Sequence, residues 1–344
     1  MNGTNLITGF RDGYSLRLAN GQRWHIMASD ETKPFIDKLT SIMELRTCEP
    51  NGYPKLIFIQ GELGVELTPP TCSSNVDILE GLPRDGWNVL NLGALKLWSH
   101  CDRPDVICEI RTEKNHDLDI IRMWLSLHPI YRRAQNSGGL PMHAALVVRN
   151  GKGVLLAAPG ETGKSTCCRR LPPPWQALCD DETLIVRVEQ NSYAVHPFPT
   201  WSEHLLGHSK RTWNVQRKLP LNAIFFLEKS EADVAIPMGQ GEAAISIYQS
   251  ATNICQRSWK NLSQKEERML KKELFDNACE ISSTVSAFKL KVSLKGRFWE
   301  EIENVLPRVS QRHISPSKGK SLSEEISTDS INFKILSRRN DCSE

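Results

Sequence analysis

Apolar and polar positions alternate along YSLRLANGQRWHI, residues 14–26. Tyr14, Leu16 and Leu18 share one face before Asn20-Gly21, and Trp24 and Ile26 share one after it. A two-residue period on both sides of Asn-Gly predicts a β-hairpin, because that dipeptide suits the left-handed backbone of a tight turn. From Pro34 the period lengthens. Phe35, Ile36, Leu39, Ile42 and Met43 recur at helical spacing behind a proline suited to a first helical turn. LIFIQ (56–60) and DVICEIR (105–111) read as strands, and the Pro-, Gly- and Cys-rich stretch between them carries no period that places an element. Residues 1–115 are expected to form a small α+β module that covers or extends a main sheet and carries no chemistry of its own.

Leu118, Ile121, Trp124, Leu125 and His128 predict one helix over 117–135, kinked at Pro129 and ended by Ser137-Gly138-Gly139. Leu140–Arg149 reads as a strand with His143 near its start. Asn150-Gly151 then turns the chain into the apolar run 151–158, antiparallel to it. A short helix over 164–171 is stopped by Pro172-Pro173-Pro174. TLIVRV (183–188), LNAIFFLE (221–228) and Phe288–Leu294 read as further strands, and 242–255, 263–279 and 297–306 as helices. Ser263 and Glu266 have capping-box spacing. The Ser- and Lys-rich tail, 309–344, is expected to be disordered.

Composition narrows the class of protein. A chain of 344 residues with 40% hydrophobic and 24% charged residues reads as globular, and a net charge of +3 does not call for nucleic acid or an anionic membrane. No apolar run reaches the ~20 residues of a membrane helix. The first residues, MNGTNLITGFRDG, lack the basic start and apolar core of a signal peptide. The ten cysteines form no CxxC pair, so scattered reduced thiols are expected rather than a structural zinc site. The expectation is a cytoplasmic protein, with homo-oligomerisation left open.

The candidate chemistry lies in APGETGKST, Ala158–Thr166, between the apolar run and the short helix. Strand, Gly-containing turn, Gly-Lys-Ser and helix are the order of a phosphate-binding (Walker A) loop, where backbone N–H groups and a helix start converge on an anion. The pattern GxxxxGK[ST] wants glycine where Ala158 stands. Ala158, Pro159, Gly160, Glu161, Thr162, Gly163, Lys164, Ser165 and Thr166 would line a nucleotide's phosphates, with the charge of Glu161 turned outward. Lys164 suits phosphate oxygens, and the Ser165 hydroxyl suits Mg²⁺. Asp180-Asp181, sixteen and seventeen residues after Lys164, stand just before a strand. One carboxylate there could hold a metal and the other accept a hydroxyl proton. Glu203 is a further metal-binding candidate, and His143 could approach from the neighbouring strand. The basic run HSKRTWNVQRK, 208–218, could meet nucleotide phosphates or an acidic substrate.

His143-Ala144, GVLLAAPGETGKST and CDDETLIV together resemble the kinase core of the HPr kinase/phosphorylase family, whose P-loop architecture is shared with phosphoenolpyruvate carboxykinases. The run from IYRRAQNSGGLPMHAALV to HPFPTWSEHL is similar to the ScmC branch, the SynChlorMet cassette proteins, which are associated with radical SAM enzymes. The resemblance covers roughly 117–306. It implies an α/β P-loop kinase core of mixed sheet with flanking helices over 116–308. It also implies ATP on Ala158–Ser165, active-site roles for Lys164 and His143, Mg²⁺ on Ser165 and near Asp180, and Asp181 as proton acceptor. The implied reaction is ATP-dependent phosphorylation of a Ser or Thr hydroxyl on a peptide or protein, beside radical SAM maturation enzymes. The RG-(I/L)-G signature after the aspartates and the later Arg-containing phosphorylase segment are absent, which argues against HPr as substrate and against the reverse reaction. An ATP-binding regulatory or assembly component, or a small-molecule kinase, stands as the alternative.

Overall fold

A computed structural model describes residues 13–312 except 50–51, 62–68, 74–76, 112–115, 161, 206, 208 and 260–261. The 14–26 alternation folds as the expected hairpin. Strand β1 (Gly13–Arg17) pairs antiparallel with β2 (Arg23–Ala28), Leu16 opposite Trp24 and Tyr14 opposite Ile26, and Gly21 turns with φ +81°. Helix α1 (Lys33–Ile42) opens on Pro34 and buries Ile36, Leu39 and Ile42. It is followed by β3 (Arg46–Cys48) and β4 (Lys55–Gln60). The stretch without a readable period holds a single helical turn, α2 (Pro70–Ser73), a 3-10 turn at Asp77–Leu79 and a second hairpin, β5 (Trp87–Asn91) with β6 (Leu95–His100). At its tip the Asn91 side chain accepts the Gly93 N–H at 2.9 Å, and Gly93 has φ +77°. Strand β7 (Val106–Ile110) completes a seven-stranded sheet ordered β3-β1-β2-β4-β7-β6-β5.

The single kinked helix expected over 117–135 is two helices, α3 (His116–Leu125) and α4 (His128–Asn136). Pro129 lies in the first turn of the second, where a missing N–H breaks no intrahelical bond. The strand expected over 140–149 is also divided. β8 (Leu140–Met142) and β9 (Ala144–Arg149) flank His143 and run in different ladders. After β9 come β10 (Lys152–Ala157), α5 (Lys164–Arg170), β11 (Gln176–Cys179), β12 (Glu182–Glu189), β13 (Ser192–Phe198) and α6 (Trp201–Leu205). Then follow β14 (Leu219–Lys229), β15 (Val234–Pro237), α7 (Gln240–Cys255), α8 (Gln264–Thr284), β16 (Ser286–Val292) and α9 (Phe298–Arg312). The capping box forms, with the Ser263 side chain accepting from the Glu266 N–H. Helices α8 and α9 outrun the expected ends at 279 and 306. The expected disordered tail, apart from its first residues in α9, and the first twelve residues lie outside the described residues.

In the second sheet β10 and β16 flank β14, both parallel to it, and antiparallel strands extend either side through β9-β11 and β13-β12-β8. This is the mixed α/β core expected from the sequence. Side-chain alternation divides its faces. Val154 and Leu156 turn to a cluster with Phe225, Phe288, Phe298 and Ile302, the side covered by α5 and α9. Leu155 and Ala157 turn to the opposite cluster, which takes in α7, α8 and α4. That cluster continues into the first sheet through Leu16, Trp24, Tyr131, Phe198 and Trp213, so the two sheets share one core.

Candidate functional site

The end of β10 sets the site. Its last residue, Ala157, is fully buried, and the chain leaves the sheet through 158–163 into α5. Gly163 stands at the helix start with φ +113°, a conformation that L side chains adopt only with strain. Ala158 has no positive φ and packs its methyl into the cluster beneath α5, so alanine in place of the first motif glycine costs the turn nothing. The Lys164 side chain folds back over the turn. Its ammonium donates to the Ala158 carbonyl at 3.0 Å and lies 3.0 Å from His143 Nε2. The lysine is only 7% exposed.

His143 reaches this point because the chain changes ladders there, between β8 and β9. Its Nε2 is also 2.9 Å from Asp181 Oδ1. One ring nitrogen cannot accept from an ammonium and donate to a carboxylate at once. The Lys164–His143–Asp181 line therefore has two proton arrangements. In one, Nε2–H donates to Asp181; in the other, Lys164 donates to the bare nitrogen. Asp180 and Asp181 occupy the turn between β11 and β12, and Asp180 Oδ1 accepts the Thr200 hydroxyl at 2.6 Å.

A cleft of about 310 Å³ collects these groups: Gly160, Gly163, Ser165 and Thr166 from the loop, and His143, Asp180, Asp181, Thr200 and Ser202 around them. Burial works to raise the Asp181 carboxyl, but the hydrogen bond and charge of His143, with Lys164 and Arg257, outweigh it and hold the group below the ordinary carboxylate range. It stays an anion at neutral pH. Burial lowers the Lys164 ammonium, and Asp181 and Asp180 oppose that shift. Ser165, Thr200, Ser202 and the two carboxylates offer hard oxygen donors, the set a hydrated Mg²⁺ takes together with phosphate oxygens. A larger hollow of about 520 Å³, between the end of α8 and β16, has no ionisable side chain in its lining.

Glu203 stands apart from the cleft lining. Its carboxylate binds the segment after α6, accepting from Arg211 Nη1 at 3.2 Å and from the Ser209 hydroxyl at 3.1 Å. Arg211 Nη1 is also 3.8 Å from Asp180 Oδ1. Behind the acid pair, Glu182 is 1% exposed. Burial, reinforced by Asp181, pushes its carboxyl up to about 8 against the opposing pull of Arg257.

The family model of SynChlorMet cassette protein ScmC matches residues 106–307, more than half of the chain. The chain belongs to the ScmC family. Every residue of the cleft falls within the matched span. Among solved structures, the HPr(Ser) kinase/phosphatase from Coxiella burnetii is similar over 51% of this chain and 99% of its own, with 13% identity and a TM-score of 0.27. Comparison with curated proteins returned no match.

For this ScmC family member, the sequence-predicted residues His143, Lys164, Ser165, Asp180 and Asp181 converge on one cleft, and Glu203 takes a place beside it. Glu161 lies outside the described residues. Thr200 and Ser202 join the cleft without belonging to any motif of the sequence; in the same stretch only Glu203 stood out as a candidate. Glu182 stands just ahead of the strand expected over 183–188, and nothing local marks it as the buried first residue of β12. Among the described residues no helix is long and apolar enough to cross a membrane.

Proposed function

We propose that this protein is an ATP-dependent phosphotransferase acting on a hydroxyl, with a Ser or Thr side chain of a peptide or protein as acceptor in a radical SAM-associated modification pathway. The observation that carries this reading is the convergence of Lys164, His143 and an ionised Asp181 on the cleft beside the Gly160–Thr166 turn. The backbone of the turn and the Lys164 ammonium position the phosphates of ATP. Ser165 and Asp180 suit Mg²⁺, which would neutralise phosphate charge. Asp181 takes the acceptor proton, the acceptor oxygen bonds to the γ-phosphorus, and the bond to the β-phosphate oxygen breaks, leaving its electron pair on ADP. His143 orients Asp181 through Nε2, and its two proton arrangements let Lys164 turn from the ring to phosphate. A small-molecule acceptor in the same cleft would use the same groups.

The test is transfer of labelled γ-phosphate to candidate precursor peptides. Asp181→Asn should lose about 10²–10⁴ of the rate while still binding nucleotide, the usual contribution of a general base. Lys164→Ala should lose both transfer and tight nucleotide binding. Equal labelling by wild type and both variants would refute the reading. Nucleotide binding without transfer to any peptide or small alcohol would favour a regulatory or assembly role.

A further inference from the structure

Residues 209–217, which run from α6 toward β14, tie the first sheet's module to the edge of the cleft, where Arg211 meets Glu203 and Asp180. Its hold begins at the end of α1, where the last carbonyls of a helix have no partner of their own. The Trp213 N–H donates to Ile42 O at 2.8 Å and the Val215 N–H to Met43 O at 3.4 Å. The Thr212 hydroxyl donates to Glu44 Oε1 at 2.7 Å. Farther along, the Arg17 N–H donates to Gln216 Oε1 at 3.1 Å. Buried His196 completes the clamp. Its Nε2 accepts the Ala19 N–H at 3.0 Å, so the ring proton sits on Nδ1 and donates to Val215 O at 2.9 Å. Trp213 is 1% exposed and packs beside the His204 ring, with centroids 5.6 Å apart.

At the other end of this clamped segment stands Arg211. Its guanidinium lies over the Trp213 ring, 5.2 Å from the centroid, and Nη1 spans Glu203 and Asp180. A guanidinium carries five N–H donors, and only Nη1 is committed to carboxylates among the described residues. The side chain is 37% exposed. A cation fixed beside the acid that lines the phosphate cleft, with donors to spare and a fork that matches phosphate oxygens, has the chemistry of a phosphate ligand.

We infer that Arg211 binds the terminal phosphate of a nucleoside triphosphate, and that the N-terminal module serves the site by fixing the 209–217 segment that presents it. This rests on the nucleotide reading of the cleft given above. Arg211 thereby distinguishes triphosphate from diphosphate. The alternative is an arginine that only balances the charge of Asp180 and Glu203, which would affect both nucleotides alike.

The experiment is calorimetric titration of the intact protein with Mg-ATP and Mg-ADP, with circular dichroism to confirm folding. Arg211→Ala should weaken ATP by about tenfold or more relative to ADP, the scale of one charge-assisted hydrogen bond. Arg211→Lys should recover only part of that ratio, because it keeps the charge and loses the fork. Thr212→Val, which touches the module rather than the cleft, should move the ratio in the same direction by a smaller factor. Equal weakening of both nucleotides by Arg211→Ala, or none, overturns the role of Arg211. A normal ratio in Thr212→Val alone overturns the role of the module. Lys164→Ala separates this from the underlying reading. If wild type binds neither nucleotide, or Lys164→Ala binds both as well as wild type, the nucleotide site itself falls and this inference with it.

Discussion

Glu182 and Asp181 are neighbours in the chain with opposite electrostatics. Asp181 meets His143, Lys164 and Arg257 and stays ionised. Glu182, the first residue of β12, is buried, and burial with the Asp181 charge keeps it protonated up to about pH 8. A carboxyl whose folded pKa lies above its unfolded value binds more protons in the native state than in the unfolded one. Its contribution is therefore intact below the unfolded pKa and is lost as pH rises toward 8. Stability should fall by up to about 1.4 kcal/mol per pH unit across that window from this group alone. Glu182→Gln keeps the shape without the titration, so its stability relative to wild type should rise from pH 5 to pH 8.5. Urea unfolding at several pH values measures this, and a pH-independent difference would contradict it. The role of His143 came from the family resemblance, whereas Lys164 and Asp181 could be read from the loop pattern and the acid pair that follows it. Glu182 could not, because its protonation depends on side chains distant in sequence.

The elements that aim these residues depend on small backbone decisions. Gly139 comes just before β8, where a Cβ would stand 2.4 Å from the Ile185 carbonyl oxygen and 3.1 Å from that of Ala134. Backbone atoms of β12 and α4 cannot retreat without disturbing the β8–β12 ladder, and that ladder delivers His143 to the cleft. Gly139→Ala should destabilise the fold by about 1–3 kcal/mol, the range for an overpacked site, and should weaken nucleotide binding alongside. The midpoint of denaturant unfolding and the calorimetric affinity check the two effects. Hairpin 14–26, α1, β10 and the α8 capping box were legible because local chemistry and the final fold agree there. The break at His143 was not, because the apolar run 140–149 is continuous and only the partner strands decide where the ladder changes. The β5–β6 hairpin is harder to read because β5 is half exposed and lacks a clear apolar period, although β6 is largely buried.

At the scale of the molecule, one apolar cluster joins the two sheets, and His196 of β13 links them, one ring nitrogen bonded to Ala19 of the first hairpin and the other to Val215 in the segment after α6. Burial lowers its pKa to about 4, consistent with the neutral ring that this pair of bonds requires. His196→Ala would leave the Ala19 N–H and the Val215 carbonyl without their partner and open a cavity between the sheets. A loss of about 2–5 kcal/mol is expected. Because the core is shared, unfolding should remain a single transition, with fluorescence and circular dichroism coinciding; two separated transitions would show that the sheets melt independently. The chain's own order of residues determined the hairpins, most helices, the phosphate-loop pattern and the acids at its proper distance, since each is written within a few turns of backbone. Only the tertiary structure decided that Glu203 would bind Arg211, that Glu182 would be buried, and that α1 would hold the segment carrying Arg211. Those outcomes depend on burial and on how loops settle against other elements, as where Thr212 meets Glu44, 168 residues away, and no local period encodes that.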